Sequence, residues 1–262
     1  MRIGISTASF YPLPTEESLL KLGNSGVDTT EIFFNSISEL SDEFISKLIT
    51  IRQEKGINVT AVHPFTSGYE PYLFSRSYPR RYNDTLDLYR RYANAGAKLG
   101  AKFLVLHGDR ITTPEKVSEY CEHFLKLSRV VEQEGIMLTQ ENVNRFCASN
   151  PDFIRSMVEN LGNRAMFTFD VKQCVRSGYS PWEVYDAMRG HIAHIHLSDH
   201  NDVSDCMLPG RGEFPFEKLF RIALADGYDG AALVEVYSNS YVTDEQLINS
   251  YKILQNKYNS VL

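Results

Sequence analysis

Short apolar runs recur along the chain, each closed by polar or turn-forming residues and followed by a longer amphipathic stretch. The runs are Arg2–Thr7, Asp28–Phe34, Asn58–His63, Lys102–His107, Met137–Gln140, Met166–Asp170, Ala193–Leu197 and Ala232–Val236. Brief apolar runs bounded by turns read as strands, and strands alternating with helices imply a parallel sheet. Eight such units imply closure, so the expected fold is α/β, a single (β/α)8 TIM barrel. No linker, low-complexity tract or charge block interrupts the pattern, so residues 1–262 are expected to form one domain.

The amphipathic stretches carry helix punctuation. Ser180-Pro181-Trp182-Glu183 and Thr243-Asp244-Glu245-Gln246 have the form of capping boxes, and Thr113-Pro114-Glu115 and Asn150-Pro151-Asp152 read as helix starts. Gly26, Gly56, Gly100, Gly135 and Gly230 stand just before strands, where a helix end needs left-handed backbone. Val117, Tyr120, Cys121, Phe124, Leu127 and Val131 share one face of the helix expected over Pro114–Glu134. That stripe is read as core packing, as is Tyr89–Tyr92. Thr66–Pro79 is long and aromatic, and is expected to be a binding loop or lid.

Composition narrows the function classes. The 262 residues are 43% hydrophobic and carry a formal net charge of −6, which argues against a broad basic surface for nucleic acid. No apolar run approaches the ~20 residues that span a bilayer. The start reads as a strand, without the apolar stretch and cleavage site of a signal peptide, so a cytoplasmic location is the expectation. Cys121, Cys147, Cys174 and Cys206 lack C-x-x-C spacing and are read as free thiols.

In such a barrel the active site lies at the carboxyl ends of the strands. Here those ends present His63, His107, Glu141, Asp170, His196 and Glu235 on strands three to eight. Buried carboxylates are costly unless paired or metal-bound. Closure makes strands five to eight neighbours, so Glu141, Asp170, His196 and Glu235 are expected to hold one divalent ion. His194, two residues deeper on the same face as His196, is expected to be structural. Three carboxylates and an imidazole suit Mn²⁺, Mg²⁺ or Co²⁺, with Zn²⁺ also accommodated. Against a divalent ion they leave about −1, which favours a neutral polyol unless a loop Arg or Lys compensates. Phe10, Tyr11, Phe65, Tyr69, Phe146 and Tyr237 are expected to shape a sugar-sized pocket. After strand seven, Pro209-Gly210-Arg211-Gly212 is a turn with Arg211 at its tip, a candidate for binding substrate.

Together, Thr139-Gln140-Glu141-Asn142, Thr168-Phe169-Asp170, His194-Ile195-His196-Leu197-Ser198-Asp199, Leu208-Pro209-Gly210-Arg211-Gly212-Glu213 and Leu233-Val234-Glu235-Val236 resemble the xylose isomerase-like TIM-barrel superfamily. That grouping holds sugar isomerases, ketohexose 3-epimerases, inosose dehydratases and family 2 AP endonucleases. The resemblance implies a metal-dependent isomerase or epimerase of a small sugar or polyol. Glu141 and Glu235 would be its acid/base pair, working through a metal-stabilised enediolate. His63, His107, Phe65, Gln173 and Arg211 would bind substrate, and His63 with His107 leaves room for a second metal. Dehydration of an inosose-type substrate is the alternative. DNA repair is disfavoured, because the endonuclease histidine after the strand-six Asp is Gln173 here, and Ser204–Met207 lacks their Asp-x-His pair. The expected partner is a small sugar or polyol, with neither membrane nor nucleic acid, and a homo-oligomer is left open.

Overall fold

A computed structural model describes residues 1–65, 68–74, 78–110 and 116–262. Eight parallel strands close into a barrel in sequence order, β1 bonding to β8. They are β1 Arg2–Ser6, β2 Thr29–Phe34, β3 Asn58–Pro64, β4 Phe103–Leu106, β5 Met137–Glu141, β6 Phe167–Asp170, β7 Ile192–Leu197 and β8 Ala231–Val234. Each expected strand is present within two residues of its expected ends. Around them lie α1 Thr15–Asn24, α2 Asp42–Lys55, α3 Glu70–Phe74, α4 Pro79–Leu99, α5 Val117–Gln133, α6 Pro151–Leu161, α7 Val171–Arg176, α8 Pro181–Met188, α9 Phe216–Ala225 and α10 Asp244–Asn259.

The core lies mainly between strands and helices. Tyr89 and Tyr92 of α4 and Phe124 of α5 are fully buried there, as their helical spacing implies. Burying each such side chain stabilises the fold by roughly 1.5–3 kcal/mol. Thr113-Pro114-Glu115 lies outside the described residues. Asn150 and Ser180 cap their helices by accepting from Asp152 N–H and Trp182 N–H. The box at Thr243 does not form: Thr243 makes no side-chain cap bond, and Gln246 Oε1 instead accepts from Val242 N–H at 2.9 Å.

Two further expectations are corrected. Gly26, Gly56, Gly100 and Gly135 take positive φ, but Gly230 does not. At this junction Gly227 (φ 78°) makes the left-handed turn, whereas a Cβ on Gly230 would fall 2.6 Å from Tyr228 Oη. Thr66–Pro79 is not a bare loop, since it contains α3 and ends on the first residue of α4; residues 66–67 and 75–77 lie outside the described residues. Glu70 is buried, accepting from Tyr89 OH at 2.6 Å and from Gly108 N–H, which ties this segment to the end of β4. Among the described residues no helix is long and apolar enough to cross a membrane, and all four cysteines are free.

Candidate metal centre and active site

Parallel register brings the strand ends together. Asp170 on β6 faces His196 on β7 across the ladder. Glu235 follows β8 by one residue, yet its N–H still bonds to Leu197 O at 3.0 Å. Asn142, one residue past β5, clamps the neighbouring strand: its Nδ2 donates to Asp170 O at 2.9 Å, and its Oδ1 accepts from Asp170 N–H at 2.8 Å. Gln140 does the same on the other side, donating from Nε2 to His107 O at 2.8 Å. Residues flanking Glu141 thus tie β5 to the ends of β4 and β6, which leaves Glu141 itself aimed into the barrel.

The four residues expected as ligands converge. One donor atom from each of Glu141, Asp170, His196 and Glu235 lies within 4.8 Å of all the others, and all four side chains are buried. His196 Nδ1 faces Glu141 Oε1 at 3.3 Å, Glu235 Oε2 at 3.4 Å and Asp170 Oδ2 at 3.7 Å. Ligands about 2.0–2.2 Å from a shared ion stand 3–4 Å from one another, so these spacings fit a small divalent cation. Burial opposes the charged form of His196, but Glu235 and Glu31 more than offset it and lift its pKa well above the usual imidazole range. An ion arriving at Nδ1 must therefore displace a proton.

Two members of this cluster were not singled out from the sequence. Glu31 on β2 is wholly buried, accepts from Ser6 Oγ at 3.0 Å, and lies 3.2 Å from both His196 Nε2 and His194 Nε2. A carboxylate only accepts, so Glu31 keeps a hydrogen on His196 Nε2, and Nδ1 is the nitrogen that would give up its proton to a metal. The signal was available: Glu31 interrupts Thr29-Thr30-Glu31-Ile32-Phe33-Phe34 just as Glu235 interrupts its own apolar run. Lys172 is the second. It is 3% exposed, and its Nζ donates to Asp170 Oδ2 at 2.8 Å and Glu235 Oε2 at 2.7 Å. Burial works against its charge, yet Asp170 and Glu235 hold its pKa well above the usual lysine value. The pKa of Asp170 is raised too, because burial outweighs the attraction of Lys172. Glu235 is lowered, because His196 and Lys172 outweigh its burial.

A second group of donors shares Glu141. Its Oε2 lies 2.9 Å from His107 Nε2 and 3.5 Å from His63 Nε2, and the two imidazole nitrogens are 3.2 Å apart. Burial opposes the charge on His63, but Glu141, Glu31 and Glu235 together lift its pKa to about 9. Burial likewise opposes ionisation of Glu141, but His107, His196 and His63 hold its pKa well below the usual carboxylate range.

Glu141 and Glu235 of this centre, with Lys172, line a cavity of about 590 Å³. His63, His107, Phe65 and Gln173 line it, as do Tyr11 and Tyr237. Gln173 Oε1 accepts from Asn144 N–H at 3.1 Å. Phe146 packs against the His107 ring, and Tyr69 against Phe65. Phe10 is not part of the wall; it is buried in the core. Arg211 lines a smaller neighbouring pocket beside Arg176 and Asp205. Its turn is held by Asp199, whose carboxylate accepts from the N–H groups of His200, Gly210, Gly212 and Phe214, each at 2.9 Å. A Cβ on Gly212 would fall 2.4 Å from His200 O, so that close approach requires glycine.

Comparison with known proteins agrees with this fold. Residues 20–255 match the family model for the xylose isomerase-like TIM barrel, and the chain belongs to that family. Fructoselysine 3-epimerase of Shigella flexneri is 21% identical over 263 residues, covering 94% of each chain. A crystal structure of a D-tagatose 3-epimerase-like protein superposes with a TM-score of 0.82 at 21% identity, over 100% of this chain and 98% of that one. The 3-keto-D-glucoside 4-epimerase of E. coli does so with 0.78 at 20% identity, over 98% and 99%. These named relatives are sugar epimerases.

Proposed function

We propose that this protein is a divalent-metal-dependent epimerase or isomerase of a small sugar or polyol. The observation that carries the reading is the convergence of Glu141, Asp170, His196 and Glu235 on one buried point, with Glu141 and Glu235 also lining a sugar-sized cavity. The sugar-epimerase relatives support the substrate class. A divalent ion there would polarise a substrate carbonyl and its neighbouring hydroxyl, and so acidify the C–H between them.

The chain's own residues then divide the work. Glu141 directs Oε1 toward the metal position and Oε2 toward His107 and His63, so one carboxylate can bind through one oxygen and move a proton with the other. Glu235 reaches the same point from β8, and with Glu141 it flanks whatever binds between strands five and eight. One glutamate removes the proton at the acidified carbon to give an enediolate, and the other returns it. Asp170 and His196 lie between them and hold the metal position. His63, His107 and Gln173 orient substrate hydroxyls, while Phe65 and Tyr237 offer apolar faces to sugar C–H groups. Arg211 would act from the neighbouring pocket on a substrate that extends that far. His63, His107 and Glu141 also form a three-donor position for a second ion. The oxygen-rich main set suits Mn²⁺, Mg²⁺ or Co²⁺, and accommodates Zn²⁺.

In the strand-seven loop Asp205 is already engaged by Arg176, at 2.7 and 3.0 Å. That favours a small-molecule site over a nuclease centre, which would need this loop for further ligands.

The test is a panel of ketoses and inososes followed by NMR, with Mn²⁺ and with chelator. The expected result is interconversion of one pair of epimers or isomers, lost with chelator and restored by metal. Turnover unaffected by chelation, or strand incision at abasic DNA, would contradict the reading.

A further inference from the structure

Lys172 stands out because a buried ammonium occupies a place between carboxylates assigned to a cation. Its Nζ contacts Asp170 Oδ2 and Glu235 Oε2 at 2.8 and 2.7 Å. These are the oxygens that face His196 Nδ1 at 3.7 and 3.4 Å, and so the oxygens that would face an ion. The lysine also borders the substrate cavity, with Nζ 5.6 Å from the Tyr237 ring centroid. It is therefore not a surface charge that happens to reach inward.

We infer that Lys172 is a built-in counter-cation of the metal centre. It holds Asp170 and Glu235 together in the metal-free protein, and it competes with the divalent ion for their oxygens. Two physical consequences follow. Without metal, three buried carboxylates within a few ångströms repel one another, and a fixed positive charge relieves this. With metal, the same ammonium stays beside the ion, where like charges in a poorly solvated site repel. Lys172 thus weakens metal binding in exchange for a pre-formed, charge-balanced site. It also changes the charge of the loaded centre. Three carboxylates, one divalent ion and one ammonium sum to zero, where the four ligands and the ion without the lysine leave −1. The compensating lysine that the sequence left unassigned is this one, and it comes from α7 immediately after the ligand Asp170. Lys172 is a positioning residue here, acting through the two carboxylates.

This rests on the metal-dependent reading above, and the experiment separates the two. Titration calorimetry with MnCl2 on chelator-treated full-length protein compares wild type with Lys172→Met, Lys172→Gln and Lys172→Arg, each checked for native circular dichroism. The neutral variants are expected to bind Mn²⁺ tighter by on the order of tenfold or more, and the arginine variant to stay within about threefold of wild type. Lys172→Gln keeps a polar group for the carboxylates and decides the matter if Lys172→Met does not fold. If wild type binds Mn²⁺ and the folded neutral variants bind it equally or more weakly, Lys172 is not a competing charge and the inference fails alone. If neither wild type nor any variant binds Mn²⁺, the metal reading fails and takes the inference with it.

Discussion

Glu31 Oε2 lies 3.2 Å from His196 Nε2, on the side of the imidazole opposite the nitrogen that faces Glu141, Asp170 and Glu235. A carboxylate behind a ligating histidine fixes its tautomer and raises its basicity, and loss of such a partner costs roughly 10–100-fold in metal affinity. Glu31→Gln keeps the shape and removes the charge. The variant is expected to fold and to bind Mn²⁺ about 10–100-fold more weakly by calorimetry. Unchanged affinity would show that Glu31 serves only to bury His194.

Asp199 has a different task, holding the strand-seven loop through four backbone N–H groups. In Asp199→Asn the charge is lost and an amide N–H₂ turns toward donors. Asn retains one acceptor oxygen, so two of the four bonds are lost; at about 1.5–3 kcal/mol each, urea denaturation is expected to show a loss of about 3–6 kcal/mol. Metal affinity should be little changed, since Asp199 touches none of the four converging side chains.

Most of the barrel was legible because each strand is a short apolar run with clear punctuation, and a parallel barrel fixes strand order once the count is eight. The same logic placed Glu141, Asp170, His196 and Glu235 together, since each lies within one residue of its strand's carboxyl end. What escaped was what depends on side-chain reach. Lys172 follows a strand end by two residues, and nothing in Val171-Lys172-Gln173 indicates that the ammonium folds back onto Asp170. Glu31 was passed over although its apolar context matched that of Glu235, because it lies in mid-strand and a layer below the rim. Thr243 failed as a cap because Gln246 bonds to the residue before it, a one-residue offset that a sequence motif does not resolve.

The metal-free site should also respond to pH. His63 has its pKa lifted from 6.5 to about 9 by Glu141, Glu31 and Glu235 against its burial. A raised folded-state value contributes stability that is fully present below 6.5 and is lost as pH rises toward 9. Chelator-treated protein is therefore expected to melt at progressively lower temperature between those limits. His63→Gln should flatten that decline. A melting temperature that rises over the same interval in chelated wild type would contradict the charge balance described for this cluster.

Glu141 and Glu235 are proposed to transfer the proton while Asp170 and His196 hold the metal position. Deuterium wash-in at the reacting carbon tests it most directly, using metal-saturated wild type, Glu141→Gln and Glu235→Gln with the ketose or inosose identified by the substrate panel. Wild type is expected to incorporate deuterium at one carbon, and each variant to lose at least about 10²-fold in exchange rate while still binding Mn²⁺, as removal of a general acid/base requires. Exchange at the wild-type rate in both metal-loaded variants would contradict the account, leaving these glutamates as ligands alone and moving the search for the base to His63 and His107.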